Sequence, residues 1–334
     1  MILFTIIHIL LMASLVNMND ELNLTLVDEI ELENTIHPAY SSTITEFAAI
    51  NDVLIFTSSN PVHSVTGYDM ESGQQIFFRE VHGSGPYELD GIFTITPGNK
   101  NIYLLDYGGK LVALDKQGEA VSETLLELTR GQSLIYLGNE KFIATSNSPA
   151  TDSYLQLIDK TQSSVEDFEM KQQEENILIG TIREAGVLQK YNETLMVSPP
   201  FSEGVLYHIQ NPKGSPEVTE IDPGLPGFES ETLEEPLQAY LSDPDRLQAF
   251  ITANSTITGL HRIEDQWLME VFHMHDNYRH ELHLLNNEWE IRCCTEIDDH
   301  IDLAHKNHIY FYNEEGELDE DFNLSLKKYE VGCE

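Results

Sequence analysis

The sequence predicts an all-β protein: a six-bladed β-propeller of four-stranded antiparallel blades, closed by its N-terminal strand. Three observations predict it. A unit of four short strands recurs at roughly 40–50 residues, the spacing of a propeller blade. A surplus strand precedes the first unit while the last unit lacks its outermost one, so pairing the two ends would abolish the exposed edges. Finally, Val81–Ile92 is a rigid corner between the first two units. Its Gly83 and Gly85 can take positive φ, and Pro86 fixes its own φ and restricts its predecessor.

The surplus strand is Leu22–Asn34, which alternates apolar and polar residues at Leu22, Leu24 and Leu26 and again at Ile30 and Leu32. That is the period of a strand. The first copy comprises Phe47–Ile50, Val53–Thr57, Ser64–Asp69 and Gln74–Glu80. The second comprises Ile92–Thr96, Asn101–Asp106, Lys110–Asp115 and Ala120–Leu126. In the second, Gly108-Gly109 suits a hairpin, and Asp115 with Gly118 suits the next turn. The third copy is Leu134–Leu137, Lys141–Ser146, Tyr154–Asp159 and Ser164–Met170. The fourth is Gly186–Lys190, Glu193–Ser198, Val205–Gln210 and Glu217–Asp222.

Residues 223–254 break the pattern. Glu231–Tyr240 and Asp243–Ala253 show helical spacing at Leu233, Leu237, Leu241, Leu247 and Phe250, punctuated by Pro236 and Pro244. A helical or loop insertion before the fifth blade is expected. The fifth copy is Thr256–Ile263, Gln266–His275, Tyr278–Asn286 and Trp289–Glu296. The sixth has only Ile301–His305, His308–Asn313 and Phe322–Glu330.

Composition narrows the partners. Of 334 residues, 57 are Asp or Glu and 18 are Lys or Arg, a formal net charge of −39. Such a surface repels nucleic-acid phosphates and anionic membranes, so neither partner is expected. The excess runs along the whole chain, which points to adaptation to a saline habitat, where salt screens the carboxylates from one another. The apolar run Met1–Val16 is too short to span a bilayer. It fits the core of a secretory signal, although no basic segment precedes it. The expectation is a signal peptide over 1–20, export to the periplasm or the extracellular space, and one domain over 21–334. No Cys follows the run, so no lipid anchor is expected. Three cysteines make no disulfide scaffold. If the protein is exported, Cys333 could bridge Cys293 or Cys294; otherwise all three are free thiols.

The region up to Leu128 carries a resemblance. An acidic N-terminal strand precedes Ile55-Phe and Tyr68-Asp-x-x-Ser-Gly73, then Gly83-Ser-Gly-Pro-Tyr-Glu88. Ile102-Tyr-Leu-Leu-Asp and Leu114-Asp-Lys-Gln-Gly118 follow. This order resembles the six-bladed β-propeller family common in exported proteins of Bacteroidetes-type bacteria, with its Gly-x-Gly-Pro-Gly-Glu-aromatic run between blades one and two. Gly83, Gly85, Pro86 and Glu88 match the run; Tyr87 replaces its third Gly and Leu89 its aromatic. Asn254–Leu260 resembles the family's lead into blade five. The likeness covers nearly the whole chain and is looser after Leu128. It implies the fold and export, and it carries over no catalytic residues.

Candidate sites are few. The corner could offer backbone N–H groups, Tyr87 and Glu88 to a ligand, but no helix or Lys-Ser/Thr follows to make it a phosphate loop, and a structural corner is the simpler reading. His273 and His275 lie two apart on a strand, and Arg279, His280, Glu281 and His283 stand across the turn. His nitrogens with a carboxylate suit zinc, making His273, His275 and His280 candidate ligands. Yet spacing fixes no third ligand, and His280-Glu-Leu-His283 is one residue short of the helical metalloprotease motif. An exposed His-rich hairpin is the alternative. Asn313–Asn323 gathers carboxylates without the register of a calcium loop. Neither a Gly-x-Ser-x-Gly elbow nor a spaced Cys–His pair occurs. The reading is a monomeric, exported, non-catalytic binding or scaffolding propeller for a protein or small-molecule ligand, with no cofactor. The alternative is a lyase- or lactonase-like enzyme using a metal or charged residues in the central channel, an analogy from fold alone.

Overall fold

The second and third strands of each repeat are apolar on both faces, and each face meets a different neighbour. In Val53–Ser58, Leu54 and Phe56 pack with blade six while Ile55 packs with blade two. In Asn101–Asp106, Ile102 and Leu104 face blade one, and Tyr103 and Leu105 face blade three. Side chains alternate across a strand, so a continuous apolar run fills two seams at once. Burying each such side chain is worth about 1.5–3 kcal/mol.

The computed structural model describes residues 21–33, 44–59, 63–126, 128, 131–146, 152–168, 170–171, 173–180, 186–315 and 323–333. The expected signal peptide over 1–20 and the central part of the acidic stretch Asn313–Asn323 lie outside them. The strands form six four-stranded antiparallel sheets. Blade one is Ile44–Ile50, Val53–Ser58, Ser64–Asp69 and Gln75–Glu80, paired in that order. Blades two to five repeat the pattern from Ile92, Gly131, Val187 and Ser255, and the first strands of successive blades lie side by side around the axis. Six apolar clusters fill the six seams between blades.

Blade six is built from both chain ends. Leu303–His305, His308–Glu315 and Asn323–Cys333 are completed by Leu22–Leu32 as the outermost strand. The register runs from Leu22 opposite Cys333 to Leu32 opposite Leu324, with a bulge between Leu26 and Asp28. Cys293 of blade five is bonded to Cys333, with Cα atoms 5.9 Å apart, beside this closure. Of the two pairings open to Cys333, only this one forms, because Cys294 points to the other strand face and stays free. Closing a separation of 40 residues removes about 4 kcal/mol of denatured-state entropy in the chain-entropy treatment.

The fourth and fifth blades are joined by a helical segment. Asp243 caps Pro244–Thr252, its Oδ1 accepting from the N–H groups of Asp245 and Arg246 at 3.1 and 3.2 Å. The helix expected over Glu231–Tyr240 is shorter, Leu237–Leu241, because Pro236 cannot continue a helix toward its N-terminus. The preceding backbone is tied down instead, with Glu175 and Glu174 accepting from the N–H groups of Leu233 and Leu237 at 3.2 Å each. Those carboxylates lie on or beside a helix absent from the sequence expectations, Glu174–Ile179. Six residues are too few for its periodicity to stand out. Leu178, Ile179, Phe201, Tyr240, Phe250 and Met274 make a seventh apolar cluster that seats these three helices on one face of the ring. In blade three the outer strand ends at Asp167 rather than Met170, as Phe168 turns into the core.

Candidate functional site

The Gly-rich corner is consumed by its own structure. Glu88 folds back so that its Oε2 accepts the Gly85 N–H at 2.7 Å. Gly83 takes φ +145°, whereas Gly85, expected to be able to do the same, does not take positive φ. A Cβ on Gly83 would stand 2.1 Å from that oxygen, and one on Gly85 2.7 Å, so a side chain at either position would have to displace the Glu88 carboxylate. Lys110 Nζ donates to the carbonyls of Gly85 and Glu88 at 3.0 and 2.8 Å. Tyr87, at the position where the resembled family has glycine, adopts φ +60°, and its N–H donates to Glu123 at 2.6 Å. Glu88 is therefore tied to the corner, and only the half-exposed Tyr87 ring is offered outward.

The histidines of blade five form a network rather than an exposed hairpin: His273 and His283 are both fully buried. The strands Gln266–His273 and Arg279–Leu285 pair His273 with Arg279 and Phe272 with His280. His280 thus lies on the opposite face from His273, stacked on Phe272 at 4.3 Å, and the three candidate zinc ligands are not brought together. Among the described residues, no group of three or more His, Cys, Asp or Glu is placed to hold a metal ion.

On the His273 face, Glu281 accepts from His273 Nε2 at 3.0 Å, from His283 Nε2 at 3.1 Å and from Arg279. Burial opposes its charge, but the His273 and His283 hydrogen bonds and the nearby positive charges hold its carboxyl well below the usual range. Ser255 Oγ lies 3.0 Å from His273 Nδ1, which gives the connectivity of a Ser-His-acid relay. The serine, however, is buried and accepts the Glu229 N–H at 3.2 Å. Its oxygen is occupied where a nucleophile must be free to reach a substrate. Ser255 also contacts His275 Nδ1 at 3.4 Å, so this network fastens the helical segment to blade five.

At the opposite end of the axis the chemistry is left open. The innermost strands of all six blades enclose a cavity of about 520 Å³. Lys190 of blade four, His261 of blade five, and Asp302 and His305 of blade six line it. His261 and His305 each hold a buried Nε2 with no hydrogen-bond partner among the described residues. Burial lowers the pKa of both, opposed at His261 by Glu270 and reinforced at His305 by Lys306. Burial and the charge of Lys213 likewise lower that of Lys190. Burial raises the Asp302 carboxyl to about 6, aided by Asp299 and Glu270 and opposed by the Tyr312 N–H and His300. These four residues escaped the sequence reading. A signal was present: Gln189-Lys190, His261-Arg262 and His305-Lys306, a polar residue followed by a cation each time, lie at or near the ends of the innermost strands of copies four, five and six.

The comparisons agree on the fold. No family model matches the chain, and no curated protein does. Among solved structures, a Bacteroides fragilis protein whose name supposes that it is exported superposes with TM-score 0.66 at 12% identity, covering 94% of this chain and 95% of that one. A member of the DUF4221 family from Bacteroides vulgatus gives 0.65 at 10% identity, covering 94% and 99%. U3-55K gives 0.52 at 11%, covering 90% and 98%. No helix among the described residues is long and apolar enough to cross a membrane. The chain is a six-bladed β-propeller of four-stranded blades, similar in fold to Bacteroides propellers, one of them named for export.

Proposed function

We propose that the chain is an exported binding propeller that takes a small carboxylate or phosphate in the axial cavity without covalent chemistry. The observation that carries this reading is the convergence of unspent nitrogen groups there. Lys190 lines the same cavity as two imidazoles, His261 and His305, whose buried Nε2 atoms have no hydrogen-bond partner among the described residues. A concave site with a few converging polar groups is the usual form of a small-molecule site, and an anion would satisfy donors that otherwise lose their hydration. Titration calorimetry with acetate, succinate, citrate and inorganic phosphate tests it. One of these should bind to the wild-type protein, and Lys190→Met should weaken that binding roughly tenfold or more. No binding by any of the four overturns the reading.

A second reading has one observation in its favour. A carboxyl raised to about 6 and facing the same cavity is suited to proton transfer near neutral pH. An enzyme of this kind would exchange a carbon-bound proton of the bound carboxylate with solvent deuterium, and Asp302→Asn would stop it. Binding without such exchange favours recognition alone.

A further inference from the structure

A second cavity, of about 300 Å³, lies where blades four and five meet. It contains both tryptophans of the chain, Trp267 and Trp289, together with Tyr191. The two indoles are stacked with centroids 5.2 Å apart and planes 19° apart, and Tyr191 meets Trp267 edge-on at 5.3 Å. Trp267 is buried, whereas Trp289 is half-buried and Tyr191 is 36% exposed, so aromatic surface remains open to solvent.

The wall is held in place from both sides. Trp289 sits at φ +67°, a left-handed conformation that a bulky residue adopts at a cost of about 1–3 kcal/mol and that tends to persist where function requires it. The turn that imposes it is fixed by bonds from Trp289 N–H to the Asn286 carbonyl at 3.1 Å and from Asn286 Nδ2 to Glu290 at 2.9 Å. The Arg262 guanidinium lies 5.0 Å from the centroids of both Tyr191 and Trp267 and locks those rings. It also lines the axial cavity, so it stands between the two sites. Around the aromatic wall are Asn192, Thr194 and His208. Thr194 Oγ1 donates to the Tyr191 carbonyl at 2.9 Å, which leaves its oxygen to accept.

These features select a ligand class. Open aromatic faces are electron-rich and favour a flat surface of polarised C–H groups. The surrounding side chains supply neutral donors and acceptors. No Lys or Arg is among the described residues that line this pocket, so nucleotides and other anionic aromatics find no counter-charge in its wall. A pyranose ring meets both demands, with an apolar C–H face and a rim of hydroxyls.

We propose that this pocket is a carbohydrate subsite, holding the apolar face of one neutral pyranose ring against Trp289, with Tyr191 standing at an angle beside it, while Asn192, Thr194 and His208 bond its hydroxyls. The proposal is independent of the axial cavity. Because both tryptophans of the chain line this pocket, tryptophan emission, excited selectively over the tyrosines, reports on its occupancy. The full chain is titrated with cellohexaose, xylohexaose, laminarihexaose, maltohexaose and mannohexaose, and separately with adenosine as a planar aromatic that is not a sugar. At least one oligosaccharide should give a saturable change in tryptophan emission. Trp289→Ala should weaken that binding roughly tenfold or more, measured by calorimetry. Asn192→Ala, which keeps both tryptophans and hence the emission signal, should weaken it by roughly fivefold. No saturable change with any of the five sugars, tighter binding of adenosine than of every sugar, or unaltered sugar binding in both variants overturns the proposal.

Discussion

Two polar clusters occupy opposite ends of this propeller and follow opposite rules. On the helix-covered side, Ser255, His273, Arg279 and Glu281 are joined by short bonds, and His283 keeps one ring nitrogen, Nδ1, without a hydrogen-bond partner among the described residues. At the axial cavity, His261 and His305 each keep a buried Nε2 without a partner among the described residues, Lys190 lines the same space, and Asp302 carries a carboxyl that resists ionising. Both clusters are rich in His and carboxylate, and composition alone cannot tell them apart. The first is closed on itself and behaves as structure. The second is open and available to a ligand. What identifies a site is therefore unmet bonding capacity facing a cavity, more than the residue types gathered there.

The largest expected effect tests the closed cluster. Glu281→Ala leaves two buried imidazoles without their shared acceptor and takes one of three carboxylate partners from Arg279, which keeps Asp276 and Glu296; removing one partner of a buried ionic network typically costs about 3–5 kcal/mol. Urea unfolding should show that loss; a change below about 1 kcal/mol would make the network ornamental. The pH dependence has a definite sign. The Glu281 pKa is depressed in the folded state, so its contribution is fully present above the unfolded value near 4.5 and is lost as pH falls below it. Wild-type stability should drop below about pH 4.5, and Glu281→Gln should flatten that drop.

Asp302 should behave in the reverse sense. Its pKa is raised from 3.8 to about 6, so the folded state favours the protonated acid. That contribution is present below about pH 3.8 and is lost as pH rises through 6. Asp302→Asn should therefore stabilise the protein at pH 8, by up to about 3 kcal/mol from a shift of roughly two units. If it destabilises instead, the carboxylate is held by the fold as firmly as Glu281, and the contrast between the clusters fails.

The blades were legible because strand patterning is local and repeats. Ile102-Tyr-Leu-Leu followed by Leu111-Val-Ala-Leu needs no tertiary information to be read as two-sided core. The closure of blade six by Leu22–Leu32 could likewise be read from a missing strand at one end and a spare at the other. The sites were not legible to the same degree. His273 and His280 are near in sequence, but the register that pairs His273 with Arg279 puts them on opposite faces. Lys190, His261 and His305 stand far apart in the chain and meet only because the ring brings the ends of its innermost strands to one axis. The corner at Gly83–Glu88 was prominent in sequence for a backbone reason: the Glu88 carboxylate fills the space that two side chains would need.

The smallest expected effect is also the most discriminating. A side chain that stabilises the fold is missed when removed; one held in reserve for a ligand is not. His261→Phe keeps the ring volume and removes a buried nitrogen that has no partner among the described residues. Replacing an unsatisfied buried polar group with an apolar one of similar shape is close to neutral or mildly stabilising. The unfolding midpoint should stay unchanged or rise slightly, equivalent to less than about 1 kcal/mol, while anion binding in the axial cavity weakens. His283→Phe, made in the closed cluster, should instead lose about 1–3 kcal/mol, because it removes a donor to Glu281. Equal losses in the two variants would mean that His261 has a structural partner after all and that the two ends of the propeller are built alike.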